Sequence, residues 1–348
     1  MPGPHRKDRR RWIAAAAAVV FAGMAAACDF EGVSGQGNGI DAGVFYGLGD
    51  DHRLYRWDPD AEGESLAPVL DLSGIWERQG DVGIVMRASL SVDPLQRHAA
   101  WIEGASTGAA LKFGDLETGE ITTAVEYPVD HVCIDPAWLG DGSALLVHRA
   151  AVWGDADTPV GSAELPLPVE SWGATEWYSP DSGKLPTTVE MANRGCRVRW
   201  YTAEDGTAQA IYHNLEVTEL YRMDASGKVL ETIPTPSLQG TEPLTIGLVG
   251  IDPAGRYACL VDDYGPYGAL KGDFTMRAES GTRVVDLQNG EAVGAEDDGC
   301  VSVHADGYLS RDGASLDFTG YDGDRRWSTK LPETIAESPV LFFIPNES

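Results

Sequence analysis

One kind of turn recurs along this sequence, and it limits the folds that the chain can adopt. In residues 247–261, two short apolar runs flank Asp252-Pro253-Ala254-Gly255. Proline fixes φ at the second position of a turn, aspartate bonds to its own backbone at the first, and glycine relieves steric strain at the fourth. The stretch is therefore predicted to form two antiparallel strands joined by a tight turn.

Related turns occur in two settings. Turns of the first kind join two buried strands, and the run after most of them, such as Tyr257 to Val261, is continuously apolar, as in a strand covered on both faces. Turns of the second kind follow strands with alternating polarity, which suits a half-exposed position. The first kind comprises Asp93-Pro94, Asp135-Pro136, Glu204-Asp205-Gly206, Asp252 to Gly255 and Ala305-Asp306-Gly307. The second comprises Asp58-Pro59 to Gly63, Asp115 to Gly119, Asp224 to Gly227 and Asp286 to Gly290.

Inner strands buried on both faces and outer strands that are partly exposed describe a four-stranded antiparallel blade of a β-propeller. The sequence therefore predicts an all-β fold, with a single propeller domain over residues 40–348. The turns resemble those of TolB-like and related WD40-like propellers, which carry Ser-Pro-Asp-Gly between the two inner strands of a blade. Here the pattern is degenerate, as in Ser91-Val92-Asp93-Pro94. The resemblance implies the architecture and protein partners, and it transfers no specific residue.

The blade count depends on the two ends of the domain. Residues 40–70 supply three strands but no inner one, and the apolar segment 339–344 has no neighbouring strand in sequence. We predict that this last segment pairs as the inner strand of the first blade, because such closure removes exposed sheet edges. That gives six blades. Ser179-Pro180-Asp181-Ser182-Gly183 fits either an outer turn of the third blade or an inner turn of an additional blade, and the second choice gives seven.

Charge and composition exclude one class of partner. The formal net charge is −28 at pH 7, and such an acidic surface repels phosphate backbones, so nucleic acid is not expected to bind. The 41 glycines and 20 prolines leave few windows for long helices. The sequence predicts no cofactor, no metal site and no catalytic residue, and it predicts a monomer.

The first residues are predicted to direct export. A basic segment, residues 5–11, precedes an Ala-rich apolar run that is too short to span a membrane, so residues 1–27 are interpreted as a signal peptide. Arg9-Arg10-Arg11-Trp12-Ile13 is compatible with the twin-arginine route and with general secretion.

A lipid anchor is predicted at the end of the signal peptide. Met24 to Cys28 resembles a bacterial lipobox, and this resemblance implies acylation of Cys28, which would become the first residue of the mature chain. Residues 28–39 then comprise the anchor cysteine and a Gly-rich, flexible tether. Acyl chains on that cysteine would hold the domain at the outer face of the cytoplasmic membrane.

Two long connections between second and third strands are the predicted binding elements. They span residues 149–175 and 262–274, and both should emerge on the same face of the propeller. Loops on a rigid scaffold commonly carry binding residues. The alternative is that these loops close the central opening as a plug. The candidate binding residues are Trp153, Asp155, Asp157, Trp172, Asp262, Asp263, Tyr264 and Tyr267.

These features favour a protein-binding or assembly module at the cell envelope. The alternative is a hydrolase or lyase that acts on glycans with carboxylates at the central mouth. Local motifs give the alternative little support. Gly104-Ala105-Ser106-Thr107-Gly108 fits a nucleophile elbow, but a strand rather than a helix follows it. His131 and His148 flank a predicted hairpin without a further metal ligand.

Four cysteines remain beyond Cys28. An even number in an oxidising compartment favours two disulfides, for which three connectivities exist. Positions on neighbouring blades predict Cys133–Cys196 and Cys259–Cys300, and small buried thiols are the alternative.

Overall fold

A computed structural model describes residues 42–61, 65–73, 89–105, 108–128, 136–151, 172–192, 198–214, 219–233, 247–261, 282–294, 299–338 and 340–346. The chain divides into two compact units, residues 1–38 and 39–348, and every described residue belongs to the second. The predicted signal peptide, Cys28 and the tether lie outside these ranges. None of the helical residues in these ranges belongs to a helix long and apolar enough to cross a membrane.

The first half of the described chain contains twelve strands. These are β1 (Val44–Leu48), β2 (Arg53–Trp57), β3 (Leu66–Asp71), β4 (Ser91–Val92), β5 (His98–Ala105), β6 (Gly108–Asp115), β7 (Ile121–Pro128), β8 (Ala137–Trp138), β9 (Leu145–Ala151), β10 (Trp172–Ser179), β11 (Gly183–Ala192) and β12 (Val198–Thr202).

The second half contains a further set of strands and one helical turn, α1 (Glu333–Ala336). The strands are β13 (Ala208–Asn214), β14 (Glu219–Asp224), β15 (Val229–Ile233), β16 (Gly247–Ile251), β17 (Tyr257–Val261), β18 (Thr282–Asp286), β19 (Glu291–Val293), β20 (Cys300–His304), β21 (Gly307–Asp312), β22 (Ser315–Gly320), β23 (Arg325–Lys330) and β24 (Leu341–Ile344).

The described strands form six four-stranded antiparallel sheets, which we call blades 1 to 6. Blades 2 to 6 each use four consecutive strands, from β4–β7 to β20–β23, ordered from the centre outwards, whereas blade 1 has the order β24-β1-β2-β3. From β4 to β24, innermost strands of successive blades contact each other. The chain is therefore a six-bladed β-propeller, as predicted. The seven-blade alternative fails because Ser179 to Gly183 joins the two outer strands of blade 3.

Apolar side chains fill the contact between each pair of neighbouring blades, which we call a seam. Six buried clusters correspond to the six seams of the ring. Strand β5 shows why its sequence is continuously apolar. Ala99 and Trp101 face the seam between blades 1 and 2, while Ala100 and Ile102 face the seam between blades 2 and 3. Alternate side chains of a strand point to opposite faces, so a strand between two seams needs apolar residues at every position.

The ring is closed by β24. It pairs antiparallel with β1, with Phe343 opposite Phe45. The Leu48 N–H donates to Ser338 Oγ at 2.8 Å, and this hydroxyl donates to the Val340 carbonyl at 2.5 Å. Arg311 of blade 6 donates to the carbonyls of Ala336 and Ser338 at 2.6 and 2.8 Å. The segment between β23 and β24 is thus bound to both blades that it joins.

Aspartate side chains stabilise several of the recurring turns by hydrogen-bonding to backbone N–H groups. In the inner turn of blade 5, Asp252 Oδ1 accepts the N–H groups of Arg256 and Tyr257, both at 2.6 Å. Asp93 binds the N–H groups of Arg97 and His98 in the same way in blade 2. A carboxylate that accepts two backbone N–H groups fixes the turn and satisfies donors that would otherwise be buried.

One turn was predicted at the wrong place. The inner turn of blade 3 is not Asp135-Pro136, because Pro136 precedes β8 and the chain reverses at Leu139 to Gly142. The Gly142 N–H donates to the Leu139 carbonyl at 2.8 Å, and Gly142 has φ of 66°. Proline is tolerated just before a strand, whereas a positive φ favours glycine, so the Asp-Gly pair forms this turn.

A glycine allows blades 4 and 5 to approach closely. The ring of Tyr201 lies against Gly255, where a Cβ would overlap it, and Gly255 has φ of 67°. Arg222 donates to the Gly255 carbonyl at 3.1 Å and to the Tyr201 hydroxyl. Gly255 therefore serves both the backbone conformation of its turn and the seam.

Replacing Gly255 with alanine should destabilise the protein more than the same change at Gly206. Gly206 has φ of 79° and open space around it. Gly206→Ala should therefore lower the free energy of unfolding only by the cost of a left-handed backbone conformation for alanine, about 1–2 kcal/mol. Gly255→Ala adds displacement of Tyr201. Urea unfolding of both variants measures the difference, and equal losses would contradict the close approach.

Removing the Phe343 side chain should weaken ring closure. Phe343 is 7% exposed and its ring centroid lies 4.7 Å from that of Phe45. Phe343→Ala should lower the free energy of unfolding by about 3–5 kcal/mol. Phe342→Ala is the matched control, because Phe342 is half-buried on the other face of the same strand. A larger loss at Phe342 than at Phe343 in denaturant unfolding would be inconsistent with this closure.

Candidate functional site

The propeller has two different faces. Connections between second and third strands, and those between blades, emerge on one face, which we call the loop face. Turns between first and second strands, and between third and fourth strands, emerge on the other, which we call the turn face. The described turns are mostly tight and hydrogen-bonded. The loop face therefore has more room for variable chain.

The two longest connections between a second and a third strand leave the loop face. Residues 152–171 connect β9 to β10 in blade 3, and residues 262–281 connect β17 to β18 in blade 5. By contrast, Gly49 to His52 suffices in blade 1, and Gly313 and Ala314 suffice in blade 6. Since blades 3 and 5 each neighbour blade 4, both long segments start and finish near one side of the ring.

One predicted binding residue falls within the described chain. Trp172 is the first residue of β10 and pairs in register with Ala151 and Ala192. It therefore marks the point where the long connection of blade 3 enters the sheet. Trp153, Asp155, Asp157, Asp262, Asp263, Tyr264 and Tyr267 lie outside the described residues, as do Ser106 and His131.

A buried polar network supports β10 below this junction. Lys184 Nζ donates to Glu176 Oε1 at 2.5 Å, and the Tyr178 hydroxyl donates to Glu176 Oε2 at 2.5 Å. The Tyr127 hydroxyl of blade 2 donates to Tyr178 at 2.8 Å. The sequence analysis missed this network. Its signal was a glutamate directly before two aromatic residues, Trp177 and Tyr178, since glutamate is rarely buried without partners.

The role of this network is structural, because it holds β10 in position. Tyr178 is fully buried, and desolvation together with the hydrogen bonds to Glu176 and Tyr127 raises the pKa of its hydroxyl above the ordinary value. The hydroxyl therefore stays protonated and keeps donating to Glu176. A charge-assisted bond of this kind orients the strand that carries Trp172.

The buried carboxylates that the structure describes serve as structural acceptors. Asp93 and Asp252 lie in turns, Asp286 ends β18 next to a turn, and Glu176 lies in the network above. Desolvation raises the pKa of Asp252, while the N–H groups of Tyr257, Arg256 and Ala254 oppose that shift. A two-carboxylate glycosidase needs its acids to face one another across a substrate. These four are distributed over blades 2, 3 and 5, each bound by neighbouring donors.

The Cys259–Cys300 disulfide predicted from the sequence is not formed. Cys259 lies on β17 and Cys300 on β20, so the two cysteines do occupy neighbouring blades, but no disulfide joins their buried side chains. The Cys259 thiol donates to the main-chain carbonyl of Cys300 at 3.2 Å, so it points at the backbone of the next blade. Cys133 and Cys196 lie outside the part of the chain that the structure describes.

A half-buried histidine, His304, ends the innermost strand of blade 6. His304 Nε2 lies 2.9 Å from Ser302 Oγ, and the imidazole packs edge-on against Phe343 with ring centroids 4.9 Å apart. Burial lowers the pKa of His304 to about 4, so the imidazole is neutral near pH 7. Within the described ranges, no group of three or more His, Cys, Asp and Glu residues could hold a metal.

The lowered pKa of His304 should make the fold sensitive to acid. Because an unfolded histidine has a pKa near 6.5 and the folded one about 4, the unfolded chain binds more protons between these values. The free energy of unfolding should therefore fall as the pH drops from about 6.5 towards 4.

His304→Gln should flatten this part of the curve of unfolding free energy against pH. Ser302→Ala is the control, because it removes the hydrogen bond but leaves the imidazole against Phe343. Parallel curves for the wild type and His304→Gln, measured by urea unfolding, would show that His304 does not titrate in this way.

The sequence comparisons assign no family to this chain. No family model matches it, and no curated protein matches it either. The predicted resemblance to TolB-like propellers is confirmed at the level of the fold. That fold rests on the six blades described above.

Several solved structures are distantly similar to this chain. TolB from Acinetobacter baumannii is 15% identical with a TM-score of 0.48, over 86% of this chain and 65% of that one. An acylaminoacyl peptidase from Pyrococcus horikoshii is 11% identical with a TM-score of 0.40, over 77% and 38%. The β-propeller domain of the Trilobed protease from Pyrococcus furiosus is 11% identical with a TM-score of 0.37, over 77% and 68%. The chain thus spans less than two thirds of TolB.

Proposed function

We propose that this chain is an exported, lipid-anchored β-propeller that binds a protein partner at the outer face of the cytoplasmic membrane. Cys28 carries the anchor, and the Gly-rich residues after it form the tether. The propeller presents residues 152–171 and 262–281 to the partner. No cofactor or metal takes part in this role.

The observation that carries this proposal is the placement of the two long connections between second and third strands. Both begin and end on the loop face, on blades 3 and 5, whose inner and outer strands are held by apolar seams and by the Glu176 network. A rigid platform lowers the entropy cost of binding, because the strands that carry the binding segments lose little conformational freedom. Tryptophan and tyrosine within polar segments suit a protein surface, where such residues commonly contribute most of the affinity.

Site-specific crosslinking in intact cells tests the proposal. A photoreactive residue in place of Trp153, and separately in place of Tyr264, should give a discrete adduct with a membrane or envelope protein, identified by mass spectrometry. The matched control is Lys330, an exposed position on β23, the outermost strand of blade 6. It should give no such adduct.

The anchor is tested in the same cells. Cys28→Ser should move the chain from the membrane fraction to the soluble fraction and weaken the Trp153 adduct.

Equal adducts from Trp153 and Lys330 would contradict the proposed surface. A glycan in the adduct would contradict a protein partner and favour the hydrolase or lyase alternative.

A further inference from the structure

The exposed large apolar side chains of the described residues lie at the turn face. Leu95 is 46% exposed in the inner turn of blade 2, and Ile121 is 38% exposed at the start of β7. Val229 and Leu230, which are 38% and 46% exposed, begin β15 in blade 4. Single exposed apolar residues are common, so the grouping at one face is the informative feature.

In blade 2 the two apolar residues belong to one surface. The inner and outer turns of this blade are joined by a hydrogen bond from the Leu116 N–H to the Arg97 carbonyl at 2.9 Å. Ile121 is the first residue of β7, which lies two strands away from β5, so these two strands are roughly 10 Å apart at the usual strand spacing. Leu95 also reaches the next blade, because a Cβ on Gly142 would lie 3.0 Å from Leu95 Cγ.

The surface around these residues is acidic. Glu117 and Glu120 lie beside Ile121, and Asp141 lies beside Gly142; all three are exposed. Across the described turn-face turns of blades 2 to 4, the basic residues are Arg97 and Lys228, and Arg97 approaches Asp93. The exposed acidic residues of the same turns are Glu117, Glu120, Asp141, Asp181, Glu204 and Asp205.

We propose that Leu95, Glu117, Glu120, Ile121 and Asp141, together called the blade 2 patch, dock a short cationic amphipathic segment of a protein. Apolar residues of the segment cover Leu95 and Ile121, while its lysine or arginine side chains meet the surrounding carboxylates. Charge complementarity of this kind speeds association and rejects anionic partners. The patch is small, so the interaction is weak and transient.

This inference goes beyond the proposed function and does not depend on it. The blade 2 patch lies on the turn face, whereas residues 152–171 and 262–281 leave the loop face. Loss of one surface therefore leaves the other intact. A single propeller with two such surfaces would bridge a partner on each side.

Blade 4 provides a matched control. Val229 occupies the same position in its blade as Ile121, since both begin the outermost strand after the outer turn. Its inner turn, however, carries Glu204-Asp205-Gly206 in place of an exposed leucine. Blade 4 does expose Leu230 next to Val229, but adjacent residues of a strand point to opposite faces. Among the described residues, an exposed leucine of the inner turn together with an exposed apolar residue after the outer turn is therefore specific to blade 2.

Peptide binding tests the inference. The full chain in buffered solution, with peptide alone as the baseline, is titrated against a fluorescent 12-residue peptide of alternating lysine and leucine. The expected result is micromolar binding that weakens with salt, and no binding of the glutamate–leucine counterpart.

The variants locate the site. Leu95→Ser and Ile121→Thr should each weaken binding by about fivefold or more, equivalent to roughly 1 kcal/mol of lost apolar contact. Glu117→Gln combined with Glu120→Gln should weaken binding and reduce its salt dependence. Val229→Thr and Glu291→Gln should leave the affinity unchanged.

Two results would overturn the proposal. One is an equal loss for Ile121→Thr and Val229→Thr, which would indicate diffuse attraction to the whole acidic face. The other is wild-type affinity in Leu95→Ser. Unchanged circular dichroism and thermal melting of each variant exclude unfolding as the cause, and deletion of residues 152–171 should leave peptide binding in place.

Discussion

The pairing of β24 with β1 is the constraint on which the rest of the ring depends. Leu48 and Ser338, which hydrogen-bond at this junction, are 290 residues apart. Bringing such distant residues together costs about 5 kcal/mol of chain entropy beyond a constant term. The aromatic seam around Phe343, the hydroxyl of Ser338 and the guanidinium of Arg311 offset that cost. Without them blades 1 and 6 would expose apolar faces, because neither would have a neighbour on one side.

Repetition explains how a chain rich in glycine and proline builds a large core. Each blade is covered by its neighbours, so the buried clusters lie between blades and not within a single centre. The turns need little sequence to specify them, since one aspartate can bind two backbone N–H groups, as Asp252 does. Close approach then selects particular residues, such as Gly255 under the ring of Tyr201.

Much of this architecture could be predicted from the sequence because turn chemistry and apolar periodicity are local signals. The closing strand was also predictable, since an apolar segment at one end matched a missing inner strand at the other. The inner turn of blade 3 was not, because β8 has only two residues, too few to show a period, and Asp135-Pro136 resembled the other turns. The Glu176 network and the direction of the Cys259 thiol depend on distances between blades, which local sequence does not encode.

The candidate site could be located by topology alone. Sequence spacing placed two long connections on one face, and the strand ends agree with that placement at Trp172. Apart from Trp172, the residues expected to bind lie between those strand ends, outside the described residues. The acidic, partly apolar turn face was missed because the exposure of Leu95 and Ile121 follows from how the turns pack, which local sequence does not encode.

Hydrogen–deuterium exchange at the closing junction tests the central claim most directly. The ring predicts that amides of Leu341 to Ile344 and Val44 to Gly47 that bond across the β24–β1 ladder exchange as slowly as those of β20 and β21, because all of them open only when the ring opens. Rapid exchange in β24 and β1, with protection kept in the other blades, would show that the C-terminal strand does not close the propeller.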